Sequence, residues 1–259
     1  MIPKIIHYCW FGGNPIPEKD KKCIESWKKF CPDYEIIEWN ENNFDINCCQ
    51  YVKEAYEAKK WAFVSDYARI YALYLMGGIY LDTDVELLRN FDKFLSLNAF
   101  TGFENIQYPF TAVVGSEKNG KFVEDILLSY KNRKFIKENG EFDTTTNTET
   151  VTNLLVNNFN IRKDNTFQCI KDYLTIYPND YFCPKNYYDG KVYLTKNSIA
   201  IHWYNGSWQS DEQKEWHDAS TKLSKVLGQK ISDIILGIFF SIKKEGFFSY
   251  IKNRLKQKS

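Results

Sequence analysis

Residues 61–84 read WAFVSDYARIYALYLMGGIYLDTD, which is a long apolar segment, a glycine pair, a short apolar run and two aspartates in succession. Trp61 to Met76 is apolar over most of its circumference. Its 16 residues are too many for an ordinary strand and too few for a membrane-spanning helix. We therefore predict a buried helix. Gly77 and Gly78 end that helix, and Ile79 to Leu81 is predicted to be a short interior strand.

The residues before this stretch predict an open α/β sheet. Lys4 to Trp10 and Tyr34 to Trp39 are short apolar and aromatic runs typical of strands. Pro17 to Phe30 lies between them and predicts a helix, with a proline suited to its first turn. A strand, a helix and a strand at this spacing indicate a right-handed βαβ unit. Later in the chain the same patterns predict strands at Ala99 to Phe103, Phe110 to Val114, Leu174 to Tyr177 and Ile199 to Trp203, and helices at Lys121 to Lys131 and Glu149 to Asn158.

The composition indicates one large globular domain with a basic appendage. The chain has 259 residues, 44% hydrophobic and 17% aromatic, which is enough for a sizeable core and excludes intrinsic disorder. After Thr221 there are nine Lys and Arg against two Asp and Glu, and before it 25 against 31. An acidic body argues against a nucleic-acid-binding protein, because phosphate binding needs a concentrated basic face. We place the boundary at 221.

Residues 222–259 are predicted to form a basic amphipathic helical tail. Apolar residues from Leu223 to Ile242 recur at helical spacing, and basic residues alternate with apolar ones from Phe247 onwards. A basic polar face with low net hydrophobicity is typical of a helix that lies in a membrane interface. The alternative is a terminal helix that packs on the protein core or on a second subunit.

The cysteines and the N-terminus indicate a cytoplasmic protein, soluble or peripheral on the membrane. Seven cysteines form an odd set with no CxxC pair, so we interpret them as reduced thiols and not as zinc ligands. The N-terminus has no long apolar stretch of the kind that a secretory signal contains.

Asp82 and Asp84 are the first candidate functional residues. They alternate along an extended chain, so both carboxylates face one side while Thr83 faces the other. Two carboxylates suit a hard divalent cation, and the carboxyl end of an interior strand is where open α/β sheets bind ligands. A solvent-facing strand end can carry the same pattern by chance. The buried strand just before them makes two adjacent acids costly unless a cation or donor compensates them.

A second group of candidates lies in the apolar helix. Asp66 and Arg69 follow Ser65 and share a helix face, so they could form an ordinary intrahelical ion pair. They are also the charged residues of an otherwise apolar helix. A ligand with hydroxyl and phosphate groups could use both, because a carboxylate accepts from hydroxyls and a guanidinium donates to oxyanions.

The segment HWYNGSW, residues 202–208, follows a predicted strand and forms a third group. His202 alone is more often a structural histidine. Beside Asn205, Ser207 and Trp208 it is typical of a loop that closes over a charged group and excludes water. Trp10 ends the first strand and either stacks on a base or belongs to the core.

Together these segments resemble glycosyltransferase family 32. The resemblance rests on IPKIIHYCWFGG near the N-terminus, on SDYAR with GGIYLDTDVE, and on IHWYNGSW. This family of DXD sugar transferases includes bacterial capsular polysaccharide enzymes and fungal initiating mannosyltransferases, and is related to the glucosylating clostridial toxins. The resemblance extends from about Ile2 to Trp208, and the tail lies outside it.

The resemblance implies a GT-A fold, which is a Rossmann-like nucleotide-sugar-binding fold, over residues 1–221, with residues 222–259 as a C-terminal helical extension. It implies a retaining hexosyltransferase that uses Mn²⁺ or Mg²⁺ and a nucleotide-sugar donor such as a UDP-sugar. The acceptor would be a saccharide or lipid-linked saccharide in surface or capsular polysaccharide synthesis.

The resemblance also implies roles for individual residues. In the donor site, Trp10 would stack on the base, and Ser207 and Trp208 would contact the diphosphate. The ribose and the sugar would be contacted by Ser65, Asp66, Arg69 and Asp82. In the metal site, Asp82 and Asp84 would be ligands, with Asp84 the one that binds the metal directly. His202 or Asn205 would complete the site nearby. Thr146 to Thr152 corresponds to the family's acceptor region and lacks its Gly-Pro pair.

Two other functions compete with this interpretation. A strand followed by D-x-D also occurs in haloacid-dehalogenase-type phosphatases, where the first Asp is a nucleophile. Those enzymes usually carry Thr two residues after the second Asp, where this chain has Glu86. The other alternative is a non-catalytic glycan-binding module, which would not need both aspartates and would bind sugar in the presence of a chelator.

Overall fold

A computed structural model describes residues 1–110, 112–187 and 189–206, together with isolated positions between 215 and 239. One compact unit comprises Met1–Lys185 with Tyr193–Trp208, and a second comprises Asn186–Val192 with Gln209–Ser259. Apart from the isolated positions, the predicted tail of residues 222–259 lies outside the described residues, and so does Thr221. The domain boundary therefore stays a prediction. In the part of the chain that is described, no helix has the length and apolar character needed to cross a bilayer.

Within the described residues, the first unit has nine strands and five α-helices. The strands are β1 (Ile5–Cys9), β2 (Glu35–Trp39), β3 (Gly78–Leu81), β4 (Val85–Leu87), β5 (Ala99–Gly102), β6 (Val113–Ser116), β7 (Gln168–Ile170), β8 (Leu174–Tyr177) and β9 (Ala200–His202). The helices are α1 (Glu18–Phe30), α2 (Gln50–Glu57), α3 (Trp61–Met76), α4 (Lys121–Tyr130) and α5 (Asn147–Phe159), with a 3₁₀ turn at Asp92–Phe94. The α/β fold class is confirmed.

The central sheet has the strand order β2-β1-β3-β6-β5-β8-β7, and β4 pairs with β9 in a separate ribbon. β1 is parallel to both β2 and β3, which confirms the parallel strands of the predicted βαβ unit. β6 is antiparallel to β3 and to β5, so β5 runs in the same direction as β3. The residues that follow β1, β3 and β5 therefore meet at one edge of the sheet.

The glycine pair between α3 and β3 is required by the backbone. Gly77 has φ +69° and Gly78 has φ +111°, a region that other residues rarely adopt. A Cβ atom on Gly78 would lie 2.7 Å from the carbonyl oxygen of Ile5 and 2.9 Å from Nε2 of His7. The pair therefore ends the helix and lets β3 pack against β1 at once. The bounds of α3 are those predicted from the sequence.

One predicted strand, Phe110 to Val114, is wrong in its bounds. The strand in this region is β6, which begins at Val113 and continues to Ser116. Its first residue pairs with Leu81, the last residue of β3, so the pairing of the strand starts where its partner ends. The short elements α2, β4 and β7 were not predicted. All seven cysteines are free.

His7 is fully buried in β1 and bridges the sheet to the end of α3. Its Nε2 donates to the carbonyl oxygen of Gly77 at 2.7 Å, and its Nδ1 accepts from the indole of Trp39 at 3.1 Å. Burial lowers the pKa of His7 to about 4, from 6.5 in the unfolded chain, although the bond to Gly77 opposes the shift. The imidazole is therefore neutral in the folded protein at pH 7.

This shift predicts acid destabilisation that depends on His7. The unfolded chain takes up the proton first, so stability falls as the pH drops from 6.5 to 4, by about 3 kcal/mol in total. His7→Gln keeps one donor and one acceptor but does not titrate. Urea unfolding of both proteins at pH 7.5 and 4.5 should show the wild type losing more stability than the variant. Equal losses would show that His7 is not responsible.

Candidate metal and donor site

The pairing of β4 with β9 forms the centre of the candidate site. Asp82, Thr83 and Asp84 connect β3 to β4, and Val85 of β4 lies opposite His202 of β9. Nε2 of His202 consequently lies 3.4 Å from Oδ1 of Asp84. Asp82, Asp84 and His202 each offer a ligand atom, and these three atoms lie within 4.8 Å of one another.

Asp84 is buried and surrounded by donors. Its Oδ2 accepts from the backbone N–H of Asn205 at 2.7 Å, and its carbonyl oxygen accepts from the N–H of Trp203 at 3.0 Å. Burial alone would raise the pKa of Asp84, but His202 and the Asn205 bond lower it below the usual value. Burial likewise opposes protonation of His202, yet the Asp84 carboxylate raises the pKa of His202 well above 6.5. Asp84 is thus an ionised, buried carboxylate held beside a positive charge.

The side chains of Asp82, Asp84 and His202 suit a divalent cation. Two carboxylates are ligands that Mn²⁺ and Mg²⁺ prefer, and His202 would add an imidazole nitrogen only after losing its proton. Further positions would be open to water or phosphate. Among the described residues, hydrogen bonds to the Asp82 carboxylate go to Oδ1, from Tyr80 at 2.9 Å, and none goes to Oδ2. The side-chain amide N–H of the predicted ligand Asn205 donates to Oδ1 of Asp20 at 2.8 Å. Its role as a ligand stays a prediction.

Arg69 connects the apolar helix to this cluster. Its Nη2 lies 3.1 Å from Oδ1 of Asp66 and 3.2 Å from Oδ1 of Asp82, and its guanidinium lies 4.6 Å from the centre of the Tyr80 ring. Burial raises the pKa of Asp66 to about 6, against the lowering effect of Arg69. The ordinary intrahelical ion pair is present. The same guanidinium also reaches the D-x-D segment, so α3 and β3 contribute to one charged site.

The remaining predicted residues lie in different places. The Ser65 carbonyl accepts from Nε of Arg69 at 3.3 Å. Trp10 follows β1 at the edge that carries Asp82, is partly buried, and donates its indole N–H to the carbonyl oxygen of Asn14 at 2.6 Å. Ser207 and Trp208 lie outside the described residues.

The predicted acceptor region meets the site through Asp66. Thr146 caps α5 by accepting from the N–H of Glu149. The next residue, Asn147, donates its backbone N–H to Oδ2 of Asp66 at 3.3 Å and its side-chain amide to the Asp66 carbonyl oxygen at 3.0 Å. The start of α5 therefore lies against the same carboxylate that pairs with Arg69.

Several residues of the site were not predicted. Glu104 follows β5, so it lies at the same edge as Asp82; burial raises its pKa, and the charge of His202 opposes the shift. Cys183 lies behind the cluster, with Sγ 3.9 Å from Nδ1 of His202 and 2.9 Å from the hydroxyl of Tyr204. Neither residue has a local sequence pattern that marks it, because each is brought to the site by strands distant in the chain.

Residues 17–101 match the family described as a glycosyltransferase sugar-binding region containing a DXD motif. The match covers 85 of the 259 residues. It includes Asp66, Arg69, Asp82 and Asp84, and the two aspartates of the cluster are its D-x-D sequence. The family resemblance predicted from the sequence is confirmed.

Several proteins similar to this chain are named glycosyltransferases or mannosyltransferases. This chain is 31% identical over 163 residues to an uncharacterised glycosyltransferase of Acanthamoeba polyphaga mimivirus. The aligned residues make up 58% of this chain and 62% of the viral protein. This chain is 35% identical over 111 residues to inositol phosphoceramide mannosyltransferase 3 of Schizosaccharomyces pombe, and the aligned residues make up 38% of this chain and 29% of the yeast protein. The chain thus spans less than two thirds of both relatives. The solved PaToxG glycosyltransferase has a TM-score of 0.46 at 20% identity, over 61% of this chain and 70% of that one.

Proposed function

We propose that the chain is a retaining, divalent-metal-dependent glycosyltransferase. It would move a sugar from a nucleoside-diphosphate sugar, such as a UDP-sugar, to a saccharide or lipid-linked saccharide. The observation that carries the proposal is the grouping of Asp82, Asp84 and His202 within 4.8 Å, in a matched glycosyltransferase DXD region.

The charges of the site suit the departure of a nucleoside diphosphate. Breaking the bond between sugar and phosphate leaves negative charge on the diphosphate oxygens, and stabilising that charge is the main catalytic task. Asp82, Asp84 and His202 would hold Mn²⁺ or Mg²⁺, and the bound cation would supply Lewis-acid stabilisation of that charge. Arg69 lies 3.2 Å from Asp82 and can donate to an anion at the same edge.

The donor contacts follow the resemblance. Trp10 would stack on the base, and Ser65 and Asp66 would bind ribose or sugar groups. Ser207 and Trp208 would contact the diphosphate. Because Asp66 accepts from Asn147 at the start of α5, the acceptor region would lie beside the bound donor sugar.

A donor panel tests the proposal. UDP- and GDP-linked glucose, galactose and mannose would be incubated with the protein in Mn²⁺, in Mg²⁺ and in EDTA; mannose belongs in the panel because one relative is named a mannosyltransferase. We expect turnover with one nucleotide that EDTA abolishes and Mn²⁺ restores, and NMR should show retention at the anomeric carbon. Phosphatase activity without sugar transfer, or glycan binding that EDTA leaves unchanged, would support the alternative functions instead.

We also propose a setting in surface or capsular polysaccharide synthesis on the cytoplasmic face of the plasma membrane. The support is the basic charge after Thr221, where nine Lys and Arg residues stand against two Asp and Glu residues. At the isolated described positions Ile231, Ile235 and Ile238, which lie at helical spacing, the residues are 53%, 41% and 39% exposed. A basic helix with exposed isoleucines suits an anionic lipid surface, where a lipid-linked acceptor would be found.

The tail prediction concerns vesicle binding. Wild-type protein should sediment with vesicles of anionic phospholipid, and Ile231→Ser with Ile235→Ser and Ile238→Ser should abolish this without affecting donor turnover. Truncation after Thr221 should act in the same way. Sedimentation that persists in these variants would show that the tail does not bind the membrane. An insoluble truncated protein would instead place the tail on the protein core or on a subunit interface.

A further inference from the structure

Asp20 is a buried carboxylate in the first turn of α1 that contacts two residues next to the metal cluster, Thr83 and Asn205. It is 1% exposed. Its Oδ1 accepts from the side-chain amide of Asn205 at 2.8 Å, and its Oδ2 accepts from the hydroxyl of Thr83 at 3.3 Å. Burial raises its pKa, against the lowering effect of the Asn205 bond. Burying a carboxylate with neutral partners is costly, so its place requires an explanation.

The usual local role of such a residue is not available. Asp20 is the third residue of α1, where an acidic side chain commonly accepts from the N–H of the N-cap. The N-cap here is Pro17, which has no N–H. Glu18, which is exposed and paired with Lys21 at 2.6 Å, already places a negative charge at this helix end. Asp20 is therefore aimed at Thr83 and Asn205 for a reason outside its own helix.

The two partners of Asp20 belong to the two segments that form the metal site. Thr83 lies between the aspartates of the D-x-D sequence, and Asn205 lies in the loop of residues 203–206. The backbone N–H of Asn205 donates to the Asp84 carboxylate, and that of Trp203 donates to the Asp84 carbonyl oxygen. The loop is also held by the Trp203 indole on Glu86, by the Tyr204 hydroxyl on Cys183 and by Lys185 on the Trp203 carbonyl oxygen. A cation bound to the Asp84 carboxylate would compete with the Asn205 N–H bond, whereas the bond from the Asn205 side chain to Asp20 does not use that carboxylate.

We propose that Asp20 is a positioning residue that fixes the loop of residues 203–206 against the D-x-D segment while Asp84 binds the metal and donor. The loop leads in sequence into Ser207 and Trp208, the proposed diphosphate contacts, so we expect a change in its position to weaken donor binding. The effect on the donor rests on the proposed function, but the anchoring of the loop does not.

Hydrogen exchange tests the anchoring directly. In Asp20→Ala, the amides of Trp203 and Asn205 should exchange at least about tenfold faster than in wild type, because a charged acceptor is lost. Asp20→Asn retains an oxygen that accepts from Asn205 and should restore most of the protection. Glu18→Ala removes the neighbouring first-turn acid and should change nothing in this loop. Unchanged exchange in Asp20→Ala would overturn the proposal.

Donor kinetics test the consequence. Asp20→Ala should raise the donor KM by about tenfold or more, in the range seen for residues that support metal ligands, with a smaller change in kcat. A KM that matches wild type would also overturn the positioning role. If no variant, including wild type, turns over any donor while the exchange effect is present, the proposed function fails and the anchoring stands.

Discussion

Asp84→Asn should abolish metal-dependent sugar transfer, with kcat/KM falling by about a thousandfold or more, which exceeds the loss expected for a residue that only supports a metal ligand. Asn has the same size but lacks the charge that attracts a cation. His202 lies 3.4 Å from Asp84 and loses its ionic partner in this variant. Manganese binding, followed by electron paramagnetic resonance, should be lost together with activity.

Glu86→Gln is the matched control for this substitution. Glu86 lies two residues further along the chain, in β4, and its Oε2 accepts from the indole of Trp203 at 2.8 Å. Gln keeps an acceptor for that bond, so manganese affinity and kcat/KM should stay near wild type. If the control loses as much activity as Asp84→Asn, local structure rather than the metal explains the loss. If Asp84→Asn stays within tenfold of wild type, Asp84 is not a metal ligand.

Arg69→Met should destabilise the protein and prevent donor binding. The substitution leaves Asp66 and Asp82, with side chains 13% and 26% exposed, without the guanidinium that lies 3.1 Å and 3.2 Å from them. Removing one partner of a buried ion pair typically costs about 3–5 kcal/mol, because an uncompensated charge stays buried. Urea unfolding measures this cost, and an affinity for nucleoside diphosphate reduced by at least about tenfold is expected alongside.

The pH dependence of the Arg69→Met loss has a defined sign. The folded pKa of Asp66 is about 6, above 3.8 in the unfolded chain, so ionising Asp66 lowers stability as the pH rises from 4 to 6. Without Arg69 that pKa rises further, because Arg69 lowers it in the wild type. The variant should therefore be more strongly destabilised at pH 8 than at pH 5. An equal or larger loss at pH 5 would contradict the account.

Arg133→Met provides the control for Arg69. Arg133 pairs with Asp143 at 2.7 Å, and the two side chains are 14% and 15% exposed, which resembles the burial of the Arg69 pairs. Its loss should also destabilise the protein, but nucleoside diphosphate affinity should not change. Loss of nucleotide binding in both variants would show that reduced stability, rather than the missing Arg69, weakens the site.

Local patterns in the sequence predict the scaffold of the site well. The apolar segment and the glycine pair give the bounds of α3, because helix periodicity and positive φ are properties of neighbouring residues. The positions of Asp66 and Arg69 on that helix, and of Asp82 after β3, follow from the same local rules. What these patterns do not give is the bond from Arg69 to Asp82, which depends on how α3 packs against β3.

The second half of the site depends on contacts distant in sequence. β9 corresponds to the strand predicted at Ile199 to Trp203, but β4 was not predicted, and no local pattern indicates that the two pair and place His202 beside Asp84. The contact made by Asp20, in contrast, could have been predicted from a local pattern in the sequence. Asp20 shares helical spacing with the buried residues Cys23, Ile24 and Trp27, and an acidic residue on the apolar face of α1 indicates a buried partner.

Calorimetric titration of UDP and GDP, with and without Mn²⁺, into wild type and Asp84→Ala tests the central claim most directly. The account predicts that one of the two nucleotides binds at least about tenfold more tightly with Mn²⁺, and that Asp84→Ala removes this gain. Absence of binding by either nucleotide, or binding that Mn²⁺ leaves unchanged in both proteins, would contradict a metal-dependent donor site at the D-x-D segment.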